Sequence, residues 1–193
     1  MIRALYDWMF RLAASRGAKP ALATVSFIES SVFPIPPDVL LIPMVLADRA
    51  RWWRLAAICT IASVLGALLG YAIGFFFYEL IGRPVLEFYG SLDRFERLAD
   101  WYNVYGGWGV LFAAVTPFPY KVLTIFSGVT GLNLAVFVGV SIVGRALRFF
   151  LVAFLLYKFG DPIRIFVEKR LNLFFFLGLA LLIGGFAAIK LFV

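Results

Sequence analysis

Phe27-Ile28-Glu29-Ser30-Ser31-Val32-Phe33-Pro34-Ile35-Pro36-Pro37-Asp38 decides how this chain is read. It lies inside a run that is otherwise apolar from Ala21 to Ala47. Two carboxylates and three prolines stand where a membrane helix should be smooth. Each proline removes a backbone donor and clashes with the carbonyl four residues earlier. Lipid cannot satisfy the groups this frees, so the break must be buried in protein or line a wet cavity. An acidic side chain at that depth is costly, and its default reading is functional. The plainer alternative is a proline-kinked helix end with Glu29 and Asp38 at the water interface.

Composition sets the class around that stretch. The 193 residues are 63% hydrophobic, with a mean hydropathy of +0.96, which suits a single polytopic membrane domain (1–193). The net charge of +7 reports orientation and contact with anionic lipid. No groove-like polar surface is interleaved with the basic residues, so nucleic acid is not an expected partner. Histidine is absent, which excludes His-dependent membrane enzymes and leaves proton handling to carboxylates. The lone Cys59 excludes an intrachain disulfide and most thiolate metal sites. No metal and no cofactor are expected.

Outward from the broken stretch, residues 1–19 have the spacing of an amphipathic helix lying in the interface or docked on the core. Lys19-Pro20 ends it. The segment 48–54 is a basic, aromatic membrane edge. Leu55 to Tyr78 is uncharged and long enough to span, with Gly66, Gly70 and Gly74 making a stripe for close helix packing, the broken stretch being its natural partner. Gly82-Arg83-Pro84 ends that span, and a second interfacial helix runs from Pro84 to just before Gly106-Gly107.

A second broken stretch occupies Trp108 to Gly131, centred on Thr116-Pro117-Phe118-Pro119-Tyr120-Lys121. Gly131-Leu132-Asn133 is a turn signal. Leu134 to Gly160 is a long helix carrying Arg145 and Arg148, and 171–193 holds a last transmembrane helix. The unit of broken stretch and spanning helix thus recurs at 21–80 and 108–160, read as inverted repeats of a transporter-like plan. The expected fold is all-α and integral to the membrane. Two re-entrant helical hairpins face each other, each followed by a transmembrane helix, with the C-terminal transmembrane helix and the interfacial helices added. A competing reading makes Val122 to Gly144 one uncharged span; the turn at 131–133 speaks against it.

Charge orients this plan. If the first stretch is re-entrant, residues 1–19 and 48–54 share a side and place seven Lys/Arg there. In the 82–106 segment, Arg83, Arg94 and Arg97 are outnumbered by Glu87, Asp93, Glu96 and Asp100. The positive-inside rule then puts the N-terminus in the cytoplasm and the C-terminus outside it.

The charges at depth should meet. Arg145 and Arg148 are three apart on one helix face and make a good fork for phosphate or carboxylate. Glu29 is expected to compete for these arginines, so that its protonation frees them for an anionic lipid head group; Asp38 is the second candidate. A structural ion pair without substrate is the alternative. Pro34, Pro36, Pro117 and Pro119 hold the re-entrant tips open, and Ser30, Ser31 and Thr116 satisfy freed backbone groups or hydrogen-bond locally.

These stretches, with Gly128, Gly131 and Gly144-Arg145-Ala146-Leu147-Arg148-Phe149, resemble the DedA family, also called the VTT (SNARE-associated) domain family. Within that family the chain looks like the short YqaA-like proteins. The resemblance covers residues 20–160. It implies a bacterial inner-membrane protein with two facing re-entrant hairpins, proton-coupled transport, and movement of lipids such as undecaprenyl phosphate or phospholipid. The family's embedded acidic residues map to Glu29 and Asp38, and its paired arginines to Arg145 and Arg148. Both pairs are more closely spaced here than in well-studied members.

Expected partners are therefore membrane lipids and protons, with a homo-oligomer compatible. An ion or small-solute proton antiporter and a non-transporting membrane-assembly factor stay open as alternatives. An enzyme is not expected: there is no Gly-x-Gly-Asp frame and no multi-aspartate metal motif.

Overall fold

The computed structural model describes residues 17–31, 36–116 and 118–160, and every described element is helical. The expectations for the 1–16 part of the interfacial helix, for Pro34 and Pro117, and for the 171–193 helix lie outside these residues. The order is α1 (Ala18–Ser31), α2 (Asp38–Ala47), α3 (Trp52–Phe77), α4 (Arg83–Phe88), α5 (Leu92–Val115), α6 (Tyr120–Val129) and α7 (Leu134–Phe159).

Lys19 and Pro20 lie in the first turn of α1. The first turn tolerates proline because its missing N–H has no intrahelical partner there.

α3 and α7 form the frame. Each has 26 residues, about 39 Å of helix at 1.5 Å per residue, more than the hydrocarbon core requires. They run antiparallel. Trp52 at the start of α3 stacks on Tyr157 near the end of α7, Ser63 meets Arg145 at mid-length, and Tyr71 packs on Phe137 near the start of α7. Their outer faces carry exposed Ile61, Leu65, Phe76, Val143, Leu147 and Leu151, while the polar groups turn inward. That is the arrangement expected of a protein solvated by lipid.

The two broken stretches fill opposite halves of the frame. α1 and α2 pack Leu22, Leu41, Met44 and Val45 against Leu55, Cys59, Phe149 and Leu156. Asp38, which begins α2, reaches Arg148 at mid-length of α7, and Arg49 beyond its end packs at Gly160, past the end of α7. α5 and α6 lie in the other half, where Tyr102, Val110, Ala114 and Tyr120 pack with Ala67, Leu132 and Phe137. Tyr102 bonds Ser127 while Gly109, further along α5, faces Leu123 near the start of α6, so α5 and α6 also run antiparallel. α2 and α6 have ten residues each, about 15 Å, half of what a crossing needs.

Two boundaries differ from the sequence reading. The chain does not leave the helix at Gly82-Arg83-Pro84. A π-helical turn over Tyr78–Gly82 leads straight into α4. The wider turn absorbs the proline, whose ring and missing donor would otherwise break the ladder. The break comes at Gly90 (φ +60°), where the Ser91 amide reaches the Leu86 carbonyl and the Gly90 amide that of Glu87, a Schellman closure. Helix α5 then runs through Gly106 and Gly107 without stopping, with Gly106 under the ring of Tyr102 one turn earlier.

The turn at 131–133 is a true stop. Leu132 donates to the Ser127 carbonyl and Gly131 (φ +64°) to that of Gly128, closing α6 by the same motif. The Asn133 side chain then caps α7 by accepting from the amides of Ala135 and Val136. Val122 to Gly144 is therefore not one span.

Candidate functional site

The glycine stripe sets how closely the broken stretches approach the frame. A Cβ on Gly66 would collide with the Phe27 carbonyl of α1, and one on Gly74 with the Ile125 carbonyl of α6. At Gly70 it would meet the Thr124 side chain. Bare backbone on α3 thus brings the end of α1 and the body of α6 onto the same helix face. Ser63 precedes Gly66 by three residues and shares that face.

At this level the polar groups converge. Arg145 is fully buried, and its Nη2 donates to Glu29 Oε2 and, at 3.2 Å, to Ser30 Oγ. Its Nε donates to Ser63 Oγ. Tyr120 and Phe149 sandwich the guanidinium, with ring centroids 4.7 and 4.8 Å from Cζ. Arg148 is less enclosed. Its Nη2 donates to Asp38 Oδ2 at 2.8 Å and its Nη1 to the Thr116 carbonyl at 3.1 Å, just before the second proline break. One helix thus holds both breaks, α1 and α2 through carboxylates and the end of α5 through a main-chain oxygen.

Ser63 Oγ accepts from Arg145 and lies 2.6 Å from Ser30 Oγ, and either hydroxyl can donate to the other. Ser30 has one hydrogen to give, and its acceptors within reach are Ser63 Oγ, Glu29 Oε2 and the Ser26 carbonyl, the last two each 3.1 Å away. On the far side Thr124 Oγ1 of α6 lies 3.2 Å from the Ser30 carbonyl and 2.8 Å from that of Lys121, which brings the two broken stretches into direct contact. Among the described residues, Arg145 Nη1 and Asp38 Oδ1 are buried here with no hydrogen-bond partner.

The sequence-predicted residues divide as follows. Glu29, Asp38, Arg145 and Arg148 come together, one carboxylate to each arginine instead of Glu29 against both. Pro36 and Pro119 stand just before α2 and α6. Thr116 bonds back to the Phe112 carbonyl, and Ser31 to those of Phe27 and Ile28. Lys121 lies in the first turn of α6, half-buried. Sequence reasoning missed Ser63, Tyr120 and Thr124, and saw in Ser30 only local bonding. A signal existed for Ser63, a hydroxyl in register with the glycine stripe. Tyr120 and Thr124 had none, since their partners lie on other helices.

Residues 35–158 match the VTT domain. An uncharacterized protein of Haemophilus influenzae is 34% identical over 169 residues, covering 88% of each chain. The undecaprenyl phosphate transporter A of Staphylococcus aureus is 28% identical over 148 residues, covering 69% of this chain and 70% of that one. No solved structure matches. The family match spans well over half of the sequence and contains α2 to α7 with both arginines, so this chain belongs to the VTT-domain (DedA) family.

Proposed function

We propose that this protein is a transporter that carries an anionic lipid, an undecaprenyl phosphate or a phospholipid, across the bacterial inner membrane. The observation that carries this reading is the meeting of both proline breaks at Arg145 and Arg148, halfway along a helix long enough to span. Buried guanidiniums at that depth suit a phosphate that must leave water. A carboxylate serves as the exchangeable counter-charge, and protonating it releases an arginine for substrate. This couples lipid movement to protons without a histidine.

The ten-residue α2 and α6 support re-entry, since neither can cross alone. Arg49, Arg51 and Arg54 gather at the end of the frame where α1 begins, which supports a cytoplasmic N-terminus and an extracytoplasmic C-terminus. A reporter fused to the C-terminus should be active outside the cytoplasm. Cytoplasmic activity would sink this topology.

The function is tested with purified protein in vesicles containing a fluorescent polyprenyl phosphate or phospholipid. The expected result is movement between leaflets that responds to a pH gradient and is lost in Arg148→Gln. Ion or solute flux without lipid movement would favour the antiporter alternative, and turnover of the lipid would revive an enzyme.

A further inference from the structure

The two ion pairs are built differently, and the difference assigns them different work. The Arg145 side chain is 0% exposed and Glu29 17%; Arg148 is 19% and Asp38 23%. Arg145 is held from three helices and between two rings: Glu29 and Ser30 come from α1, Ser63 from α3 and Tyr120 from α6. Its Glu29 partner has a second donor within reach, the Ser30 hydroxyl. To release Arg145 would leave a buried cation facing two aromatic rings and would strand two serine hydroxyls. Such a group is costly to unpair.

Arg148 has a looser hold. It keeps one bond to Asp38 and one to a main-chain carbonyl, with a single ring, that of Phe149, 5.9 Å away. Among the described residues Asp38 uses one of its oxygens: Oδ2 accepts from Arg148, while Oδ1 is buried with no donor among them. A carboxylate with one oxygen unsatisfied gains less from its site than one with its full complement. Its position at the first residue of α2, directly after Pro36-Pro37, also makes it the member of the pair that a small movement of the break would carry away.

We infer that Arg148 is the charge that receives the substrate's phosphate, that Asp38 is the built-in carboxylate the phosphate displaces, and that Arg145 with Glu29 is a fixed post. This rests on the reading of the protein as a carrier of phosphate-bearing lipids, and it moves the competing role from Glu29 to Asp38. A phosphate, like the carboxylate, presents acceptor oxygens to a guanidinium, so it exchanges with Asp38 at Arg148 charge for charge and leaves the Arg145 cluster intact.

The experiment measures binding of farnesyl phosphate to the purified full-length chain in detergent, with farnesol as the uncharged control. Thermal melting is followed in parallel. Asp38→Asn should tighten farnesyl phosphate binding about tenfold, the order of one charge-assisted hydrogen bond. Asp38→Ser should do the same if the amide itself interferes. Arg148→Gln should abolish the preference over farnesol, and Glu29→Gln should lower the melting temperature without tightening binding. Tightening by Glu29→Gln but not by either Asp38 variant would overturn the inference and return the site to Arg145. Equal tightening by both carboxylate variants would overturn it as well. If no variant and not the wild type prefers farnesyl phosphate to farnesol, the lipid-carrier reading itself fails, and the inference with it.

Discussion

Ser63 and Arg145 stand at the same level of the molecule: each is the twelfth residue of a 26-residue helix, and the Arg145 Nε donates to the Ser63 hydroxyl. A polar layer thus crosses the middle of two antiparallel apolar helices, with one hydrophobic cluster on either side of it. The layer places a cation as far as these helices allow from both ends.

Ser63 should therefore matter to stability although it bears no charge. Ser63→Ala leaves the Arg145 Nε without its acceptor and takes a partner from Ser30. The expected loss is about 1–3 kcal/mol, the cost of an unsatisfied buried donor. A lowered melting temperature in detergent checks this; an unchanged one would show that another acceptor takes over.

The Glu29–Arg145 pair should be strongly non-additive. Glu29→Leu alone strands a buried guanidinium, at about 3–5 kcal/mol. Glu29→Leu with Arg145→Leu removes both charges and should recover most of that loss while abolishing transport. A double-mutant cycle on melting and on lipid movement separates the two effects. A double variant no more stable than Glu29→Leu would mean that the pair's neighbours, not its charges, hold the site.

Gly74 and Gly128 face each other's helices at main-chain distance. A Cβ on Gly74 would strike the Ile125 carbonyl, and one on Gly128 the Tyr71 carbonyl. Gly128→Val should push α6 off α3 and cost about 1–3 kcal/mol or more. Gly139→Ala is the control, since a Cβ there meets nothing within 4 Å. Comparable yields and melting of the two variants would refute the close approach.

Asn133 caps α7 from an exposed position, with its side chain taking two amides. Asn133→Ala should cost about 1 kcal/mol. Asn133→Asp should restore it. The comparison is again by melting, and equal values for all three chains would dismiss the cap.

Much of the architecture was legible because it follows from local chemistry. A proline has no amide hydrogen wherever it sits, so the breaks near Pro36 and Pro119 could be placed from the sequence. Gly131-Leu132-Asn133 announced a stop because the left-handed residue and the cap are neighbours in the chain. Where the local signal was ambiguous, the reading went astray. Gly82-Arg83-Pro84 looked like an end, yet a π-turn ending at Gly82 runs on into α4, while Gly106-Gly107 looked like an end and lies inside α5.

By itself, the sequence determined that charges stand deep in an apolar chain, where the helices break, and that Arg145 and Arg148 share a face. All of these are set within one helical turn. Only the tertiary structure decided which carboxylate meets which arginine. Glu29 and Arg145 are 116 residues apart and Asp38 and Arg148 are 110 apart, separations over which no periodicity speaks. The pairing is fixed by how closely the glycines of α3 let α1 and α6 approach, which brings Ser30, Thr124 and Ser63 to the level of the arginines. That approach depends on the absence of side-chain atoms at Gly66, Gly70 and Gly74 and on what packs there in three dimensions.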